Sequence, residues 1–116
     1  MTSAPYDAII LGAGGAGLMC AATAGQMGQR VLVIDDDADA RELTSRALRQ
    51  EGCTVMEADN GSEGLRLAQL ERPDLIVLDL LMPGLDGWSV LAVLKDNDET
   101  RDIPVILQSM LDAREE

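Results

Sequence analysis

Histidine and phenylalanine are absent from this chain, and tryptophan, tyrosine, lysine and cysteine are scarce. Without histidine, neither a histidine general base nor a histidine metal ligand is available. Hydrophobic residues make up 47% of the chain, so a core is available, and it must be almost entirely aliphatic. The two cysteines, Cys20 and Cys53, fall in a predicted helix and a predicted strand, and we interpret them as free thiols.

Basic residues are also few, with 9 Lys and Arg against 21 Asp and Glu and a net charge of −12. This balance argues against nucleic acid as a partner, because phosphate backbones are bound by an excess of Lys and Arg. Residues 1–5 carry no basic signal-peptide region, and glycines interrupt the apolar stretch Ala8–Ala24. We therefore expect a soluble, cytoplasmic protein without a membrane partner.

Predicted strands and helices alternate along the 116 residues, with no repeat and no interdomain linker. This alternation predicts one α/β domain, residues 1–116, in which helices cover both faces of a doubly wound, five-stranded parallel sheet. The predicted strands are Tyr6–Leu11, Arg30–Asp35, Cys53–Ala58, Asp74–Asp79 and Ile103–Gln108. The predicted helices are Ala16–Met27, Ala38–Gln50, Ser62–Leu70 and Trp88–Lys95. Asp37 and Asp39 are candidate N-caps for the second of them.

A glycine loop follows the first predicted strand. Gly12, Gly14 and Gly17 fit the pattern G-x-G-x-x-G, in which glycines permit a tight turn and let the backbone approach a pyrophosphate. Asp35 ends the next strand, and the run Tyr6–Cys20 resembles the opening β-α-β unit of Rossmann FAD-dependent oxidoreductases. That resemblance implies FAD or NAD at the glycines, with Asp35 on a ribose hydroxyl, although the rest of a flavoenzyme has no counterpart here.

The segment Val31–Ser109 resembles a bacterial response-regulator receiver domain. Asp35 and Asp36 lie at the end of one predicted strand, Asp79 ends another and Ser109 follows a third. The run Asp-Leu-Leu-Met-Pro-Gly-Leu-Asp-Gly that starts at Asp79 also matches the loop of that family after its phosphoacceptor. Clustered carboxylates suit Mg²⁺, a hard cation that prefers oxygen ligands.

The receiver resemblance implies a role for each of these residues. Asp79 would accept the phosphoryl group, Asp35, Asp36 and the backbone carbonyl of Leu81 would hold Mg²⁺, and Ser109 would hydrogen-bond the phosphoryl oxygens. The family also has a further strand carrying a lysine that pairs with the phosphoryl group, and then a final helix. The only lysine here, Lys95, lies on a predicted helix instead, so the resemblance leaves phosphotransfer incomplete.

The two resemblances share one strand, Val31–Asp35. Because natural chains rarely join two families inside a strand, we interpret the sequence as an engineered chimera of a Rossmann-derived segment (residues 1–35) and a truncated receiver (residues 31–116). Such a chimera would test the relationship between Rossmann and flavodoxin-like folds. It would not be an enzyme, and any ligand site would be vestigial.

Two strand orders satisfy the handedness of β-α-β units. The first predicted strand either inserts between the second and the fourth, which gives the Rossmann-like order 3-2-1-4-5, or lies at the edge of a permuted receiver sheet. We favour insertion, because consecutive parallel strands are usually neighbours. Insertion would widen the gap between the strands of Asp36 and Asp79 from about 4.8 to about 9.6 Å. The two carboxylates would then be too far apart to share one Mg²⁺, whose ligands lie at about 2.1 Å.

Three functions therefore stay open. The favoured one is a designed chimera without enzymatic activity, which requires no cofactor and no partner. The alternatives are a residual Mg²⁺-dependent phosphoacceptor module, with Asp35, Asp36 and Asp79 at the metal, and a weak FAD or NAD binder. The sequence leaves the oligomeric state open, since the predicted edge strands would permit a homo-oligomer.

Overall fold

The computed structural model describes residues 8–11, 28–82 and 84–108, and strands alternate with helices within them. The strands are β1 (Ala8–Leu11), β2 (Arg30–Ile34), β3 (Thr54–Ala58), β4 (Leu75–Asp79) and β5 (Val105–Gln108). The helices are α1 (Ala38–Gln50), α2 (Gly61–Glu71) and α3 (Gly87–Asp96). These bounds lie within a few residues of the predicted ones.

The strands form one parallel sheet in the order β1-β5-β4-β2-β3. β2 pairs directly with β4, from Val31 opposite Leu75 to Ile34 opposite Leu78. The favoured order 3-2-1-4-5 is therefore wrong, because a strand has two hydrogen-bonding sides and β3 and β4 occupy both sides of β2. β1 pairs instead with β5, at the edge of the sheet.

Helices cover both faces of the sheet. Side chains alternate between the faces along each strand, so that Leu32 and Ile34 of β2 pack with residues of α2 and α3, whereas Val31 and Val33 pack with Leu48 of α1. All four side chains are at most 1% exposed. This continuous burial explains why residues Val31–Ile34 of β2 are all apolar instead of alternating between apolar and polar residues.

Each described helix begins at a polar cap. The carboxylate of Asp37 accepts hydrogen bonds from the N–H groups of Asp39 and Ala40, and Asn60 and Asp86 cap α2 and α3 in the same way. Asp37 was one of two predicted caps for α1. Because these caps start the helices just after the carboxyl ends of the strands, the polar loops lie together along the edge of the sheet where the strands end.

Several predicted features lie outside the described residues. They are the glycine turn with Gly12, Gly14 and Gly17, the helix Ala16–Met27, and Ser109. Within the part of the chain that the structure describes, none of the helices combines the length and the apolar character that crossing a bilayer requires.

Candidate metal centre

Three aspartates meet at the carboxyl ends of β2 and β4. Asp79 is the last residue of β4, and Asp35 and Asp36 directly follow β2. Since Ile34 lies opposite Leu78 in the ladder, Asp35 continues the register toward Asp79. One carboxylate oxygen from each of the three residues lies within 4.8 Å of the others. The separation of about 9.6 Å that strand insertion predicted is therefore wrong.

Two of these carboxylates are buried and the third is exposed. Asp35 is 2% and Asp79 3% exposed, whereas Asp36 faces solvent. Burial, together with the negative charges of Asp35 and Asp36, raises the pKa of Asp79 to about 7. The pKa of Asp35 is also raised, mainly by burial. The two buried groups thus hold protons more tightly than ordinary aspartates do.

Backbone N–H groups partly compensate these buried carboxylates. Oδ1 of Asp35 accepts from the N–H of Asp37 at 2.9 Å, and Oδ1 of Asp79 accepts from the N–H of Leu81 at 3.1 Å. Each bond lowers the pKa of its carboxylate, but less than burial raises it. Among the described residues, none of the ion pairs involves Asp35, Asp36 or Asp79.

The residues present fit a hard divalent cation. Mg²⁺ binds carboxylate oxygens and keeps several of its waters, and one exposed ligand leaves room for them. Two buried carboxylates in mutual contact repel each other unless a proton or a cation lies between them. The donor set therefore matches Mg²⁺ in chemistry and in charge.

The loop after Asp79 is held close to the site. The N–H of Leu80 donates to the carbonyl of Gln108, and that of Gly87 donates to the carbonyl of Leu80. A Cβ atom on Gly87 would collide with the carbonyl oxygen of Asp79 and lie 2.5 Å from Cα of Leu80. Only glycine therefore lets the first turn of α3 rest on the backbone of the aspartate.

The receiver resemblance also involved Ser109 and Lys95. Gln108 lies opposite Asp79 in the ladder, and Ser109, the next residue in the sequence, is outside the described residues. Nζ of Lys95 donates to the carbonyls of Arg101 and Ile103, both at 2.9 Å. Because Ile103 precedes β5, Lys95 lies at the opposite edge of the sheet from the three aspartates.

The Rossmann unit that the sequence predicted is not formed by the described strands. β5 and β4 separate β1 from β2. The strands β1 and β2 therefore lie about 14 Å apart, or three strand spacings, and Asp35 follows β2. Asp35 faces Asp79 instead of a ribose site. The predicted cofactor residues Gly12, Gly14 and Gly17 lie outside the described residues.

Sequence reasoning missed Arg41, which lies in the first turns of α1. Its Nη1 donates to the backbone carbonyl of Asp35 at 2.7 Å, and its Nε donates to Glu57 at 3.0 Å. The available signal was the position itself, because a cation near a helix N-terminus opposes the helix dipole and needs a specific partner.

Comparison with known proteins gives two family matches. A model described as the response regulator receiver domain matches residues 31–116, and a model described as an FAD binding domain matches residues 7–47. The two matches overlap in β2 and most of α1. The receiver match covers both halves of the aspartate site, whereas the FAD match ends long before Asp79.

Individual relatives agree with the longer match. Response regulator PleD of Caulobacter vibrioides is 44% identical over 89 residues, which are 76% of this chain and 19% of PleD. Protein PilH of Pseudomonas aeruginosa is 36% identical over 83 residues, which are 72% of this chain and 69% of PilH. The chain thus spans only a small part of PleD but most of the length of PilH.

Solved structures support the same fold. The receiver domain of Francisella response regulator 1452 has a TM-score of 0.66 and 35% identity, and the match covers 76% of this chain and 71% of that one. Chemotaxis protein CheY4 of Vibrio cholerae has a TM-score of 0.66 and 29% identity, with coverage of 69% and 67%. The fold is therefore the flavodoxin-like α/β fold of these proteins.

Proposed function

The chain belongs to the response regulator receiver domain family, and we propose that it is a Mg²⁺-dependent phosphoacceptor module. Asp79 receives the phosphoryl group, and Asp35 and Asp36 hold the cation. The observation that carries this proposal is the meeting of three carboxylate oxygens within 4.8 Å at the carboxyl ends of two adjacent strands. This was an alternative in the sequence analysis, and it replaces the inactive chimera as the leading function.

The proposed reaction is an in-line displacement at phosphorus. A carboxylate oxygen of Asp79 attacks the phosphorus of a donor, the bond from phosphorus to the leaving oxygen breaks, and the leaving group departs with the electron pair. Bound Mg²⁺ would supply charge neutralisation for the carboxylates and for the incoming phosphoryl oxygens. The product is an acyl phosphate on Asp79, so the residue is consumed in each round and the module is not an enzyme by itself.

The protonation state of Asp79 controls this step. The negatively charged carboxylate is a far better nucleophile than the protonated acid, and a pKa of about 7 leaves a large protonated fraction at neutral pH. A cation bound between the carboxylates favours the charged form. We therefore expect phosphorylation to require Mg²⁺ and to decrease as pH falls below 7, over a range that shifts to lower pH as the Mg²⁺ concentration rises.

Two roles that the receiver resemblance implies belong to the same proposal. The backbone carbonyl of Leu81 is expected to complete the protein ligands of the metal, and Ser109 to hydrogen-bond the phosphoryl oxygens. The described residues provide no lysine at this edge, since Lys95 lies at the opposite one. β1 lies beside β5, where the family has its further strand, and it contains no lysine.

A Mg²⁺ titration monitored by the fluorescence of Trp88 tests the metal site. Trp88 is the second residue of α3, next to Gly87, and is 53% exposed. We expect a saturable change in the wild type and none in Asp79→Asn. Asp102→Asn is the charge-matched control, because Asp102 is exposed and precedes β5 at the other edge. Equal titration curves for the wild type and Asp79→Asn would contradict the proposal.

Phosphotransfer is tested with acetyl phosphate as the donor. Intact mass should show one added phosphoryl group on the wild type with Mg²⁺, and none with EDTA or in Asp79→Asn. Acetate is the leaving group and can be measured in the same sample. Wild-type protein that stays unmodified while it binds Mg²⁺ would restrict the function to metal binding.

Dinucleotide binding is the second candidate, and the FAD-family match at residues 7–47 favours it. The distance between β1 and β2 weakens it, because Asp35 cannot serve a nucleotide bound after β1 as a Rossmann acid would. Thermal stabilisation of the wild type by FAD or NAD, lost on Gly14→Val, would support this candidate. The overlap of the two family matches agrees with a fusion of two segments, and its engineered origin stays a hypothesis.

A further inference from the structure

Arg41 connects three parts of the structure at the rim of the aspartate site. It belongs to α1, its Nη1 bonds the carbonyl of Asp35, and its Nε bonds Oε1 of Glu57 on β3. The Arg41 side chain is only 19% exposed. A planar guanidinium with several fixed donors can hold two acceptors at a defined angle, which an ammonium group cannot.

The carbonyl of Asp35 needs such a donor. The N–H of Asp35 continues the ladder by donating to the carbonyl of Ala58, and the chain then turns away toward α1. A buried carbonyl without a partner is costly, and Asp35 is 2% exposed. Arg41 supplies the missing donor and also links the peptide between Asp35 and Asp36 to the neighbouring strand.

We propose that Arg41 is a positioning residue for the metal site. By fixing the peptide that joins Asp35 to Asp36, it sets the direction in which both carboxylates leave the backbone. Glu57 in turn fixes the guanidinium, because its carboxylate is held from the other side by Arg49 at 3.2 Å. This inference rests on the proposed binding of Mg²⁺ by Asp35, Asp36 and Asp79.

The direction in which Mg²⁺ affinity changes when Arg41 is removed distinguishes a positioning role from simple electrostatics. Arg41 is a positive charge beside a cation site, so its removal should strengthen Mg²⁺ binding if charge alone matters. Loss of a positioning contact has the opposite result, and groups that orient metal ligands typically account for about 10- to 100-fold in metal affinity. We therefore expect Arg41→Ala to bind Mg²⁺ at least about tenfold more weakly than the wild type.

Arg46→Ala is the matched control. Arg46 also lies on α1, and its removal changes the net charge by the same amount, but its guanidinium pairs with the exposed Glu42 of the same helix at 3.1 Å and not with Glu57 or Asp35. Its Mg²⁺ affinity should stay within about twofold of the wild type or become slightly tighter. Calorimetric titration of folded protein, with folding checked by circular dichroism, gives both affinities.

Two further variants keep the test decisive if Arg41→Ala does not fold. Arg41→Lys retains the charge but not the forked geometry, so it should show an intermediate loss of affinity. Glu57→Gln removes the charge of the anchor and retains an acceptor, and it should lose less affinity than Arg41→Lys.

Comparing the wild type with the Arg41 variants distinguishes the absence of a Mg²⁺ site from the absence of a positioning role for Arg41. If the wild type shows no saturable Mg²⁺ binding, the proposed function fails, and the inference with it. If the wild type binds Mg²⁺ but Arg41→Ala, or in its place Arg41→Lys, binds as well as or better than the wild type, the positioning role alone is overturned.

Discussion

Charged side chains are paired differently at the edge of the sheet where the strands begin and at the edge where they end. At the edge where the strands begin, Arg30 pairs with Glu71 and its N–H donates to Asp74, and Lys95 donates to backbone carbonyls. At the edge where the strands end, Asp35 and Asp79 are buried in contact with each other, outside every ion pair of the described residues. Charges that are paired within the protein support the fold, whereas charges left for an external partner indicate a site.

The largest expected effect is a pH dependence of stability that arises at the aspartate edge. The pKa of Asp79 in the folded state, about 7, is raised above its ordinary value of 3.8. At a pH between these two values, the folded state therefore binds a proton that the unfolded state has lost. The contribution of Asp79 is therefore most favourable below about pH 4 and is lost as pH rises toward 7, by on the order of 4 kcal/mol. Urea unfolding at several pH values without Mg²⁺ measures it.

Asp79→Asn is the reference for that experiment, because asparagine does not titrate. The variant should be more stable than the wild type at pH 8 without Mg²⁺, and the difference should shrink toward pH 4. Saturating Mg²⁺ should stabilise the wild type and not the variant. A constant difference between the two proteins at every pH would mean that Asp79 is not the titrating group.

A smaller effect is expected for Gly87→Ala, which changes the packing at the same edge. The added methyl group would collide with the backbone of Asp79 and Leu80. Overpacking of this kind costs typically about 1–3 kcal/mol. We also expect weaker Mg²⁺ binding, since the strain falls on the backbone of a ligand. Gly84→Ala is a useful comparison, because a Cβ at that exposed position meets no atom within 4 Å, although its φ of 73° adds local strain.

The smallest effect is expected at the opposite edge. Arg30→Ala removes the ion pair with Glu71, whose side chains are 41% and 42% exposed. Partly exposed pairs are worth about 0–1 kcal/mol, so the free energy of unfolding should fall by about that amount while Mg²⁺ affinity stays unchanged. A loss of Mg²⁺ affinity in this variant would show that the two edges are coupled and would invalidate the contrast between them.

The sequence predicted the individual elements better than their arrangement. Apolar runs such as Leu75–Leu78 and caps such as Asp37 are local signals, and the structure confirms them. Strand order is a property of the whole sheet, and the rule that consecutive strands are neighbours pointed to insertion of β1. The direct pairing of β2 with β4 reversed that prediction and the functional conclusion drawn from it.

In the candidate site, too, the sequence predicted individual residues better than the contacts between distant parts of the chain. The resemblance to receivers identified Asp35, Asp36 and Asp79 as a set, and the structure brings these three together. Arg41 was missed because its role depends on a carbonyl and on a side chain from another strand, neither of which the local sequence of α1 reveals. The burial that raises the pKa of Asp79 also follows from packing across the sheet and not from its neighbours in sequence.

The pairing of Ala8 with Val105 joins positions near the two ends of the described sequence. Closing so long a loop has a high entropic cost, and long-range pairings slow folding. We therefore expect β2, β3 and β4 to assemble first and β1 to add last, so that a truncated or nascent chain would already carry a formed aspartate cluster. Pulse-labelling hydrogen exchange during refolding would reveal this order, with the amides of residues 8–11 protected after those of β2 and β4.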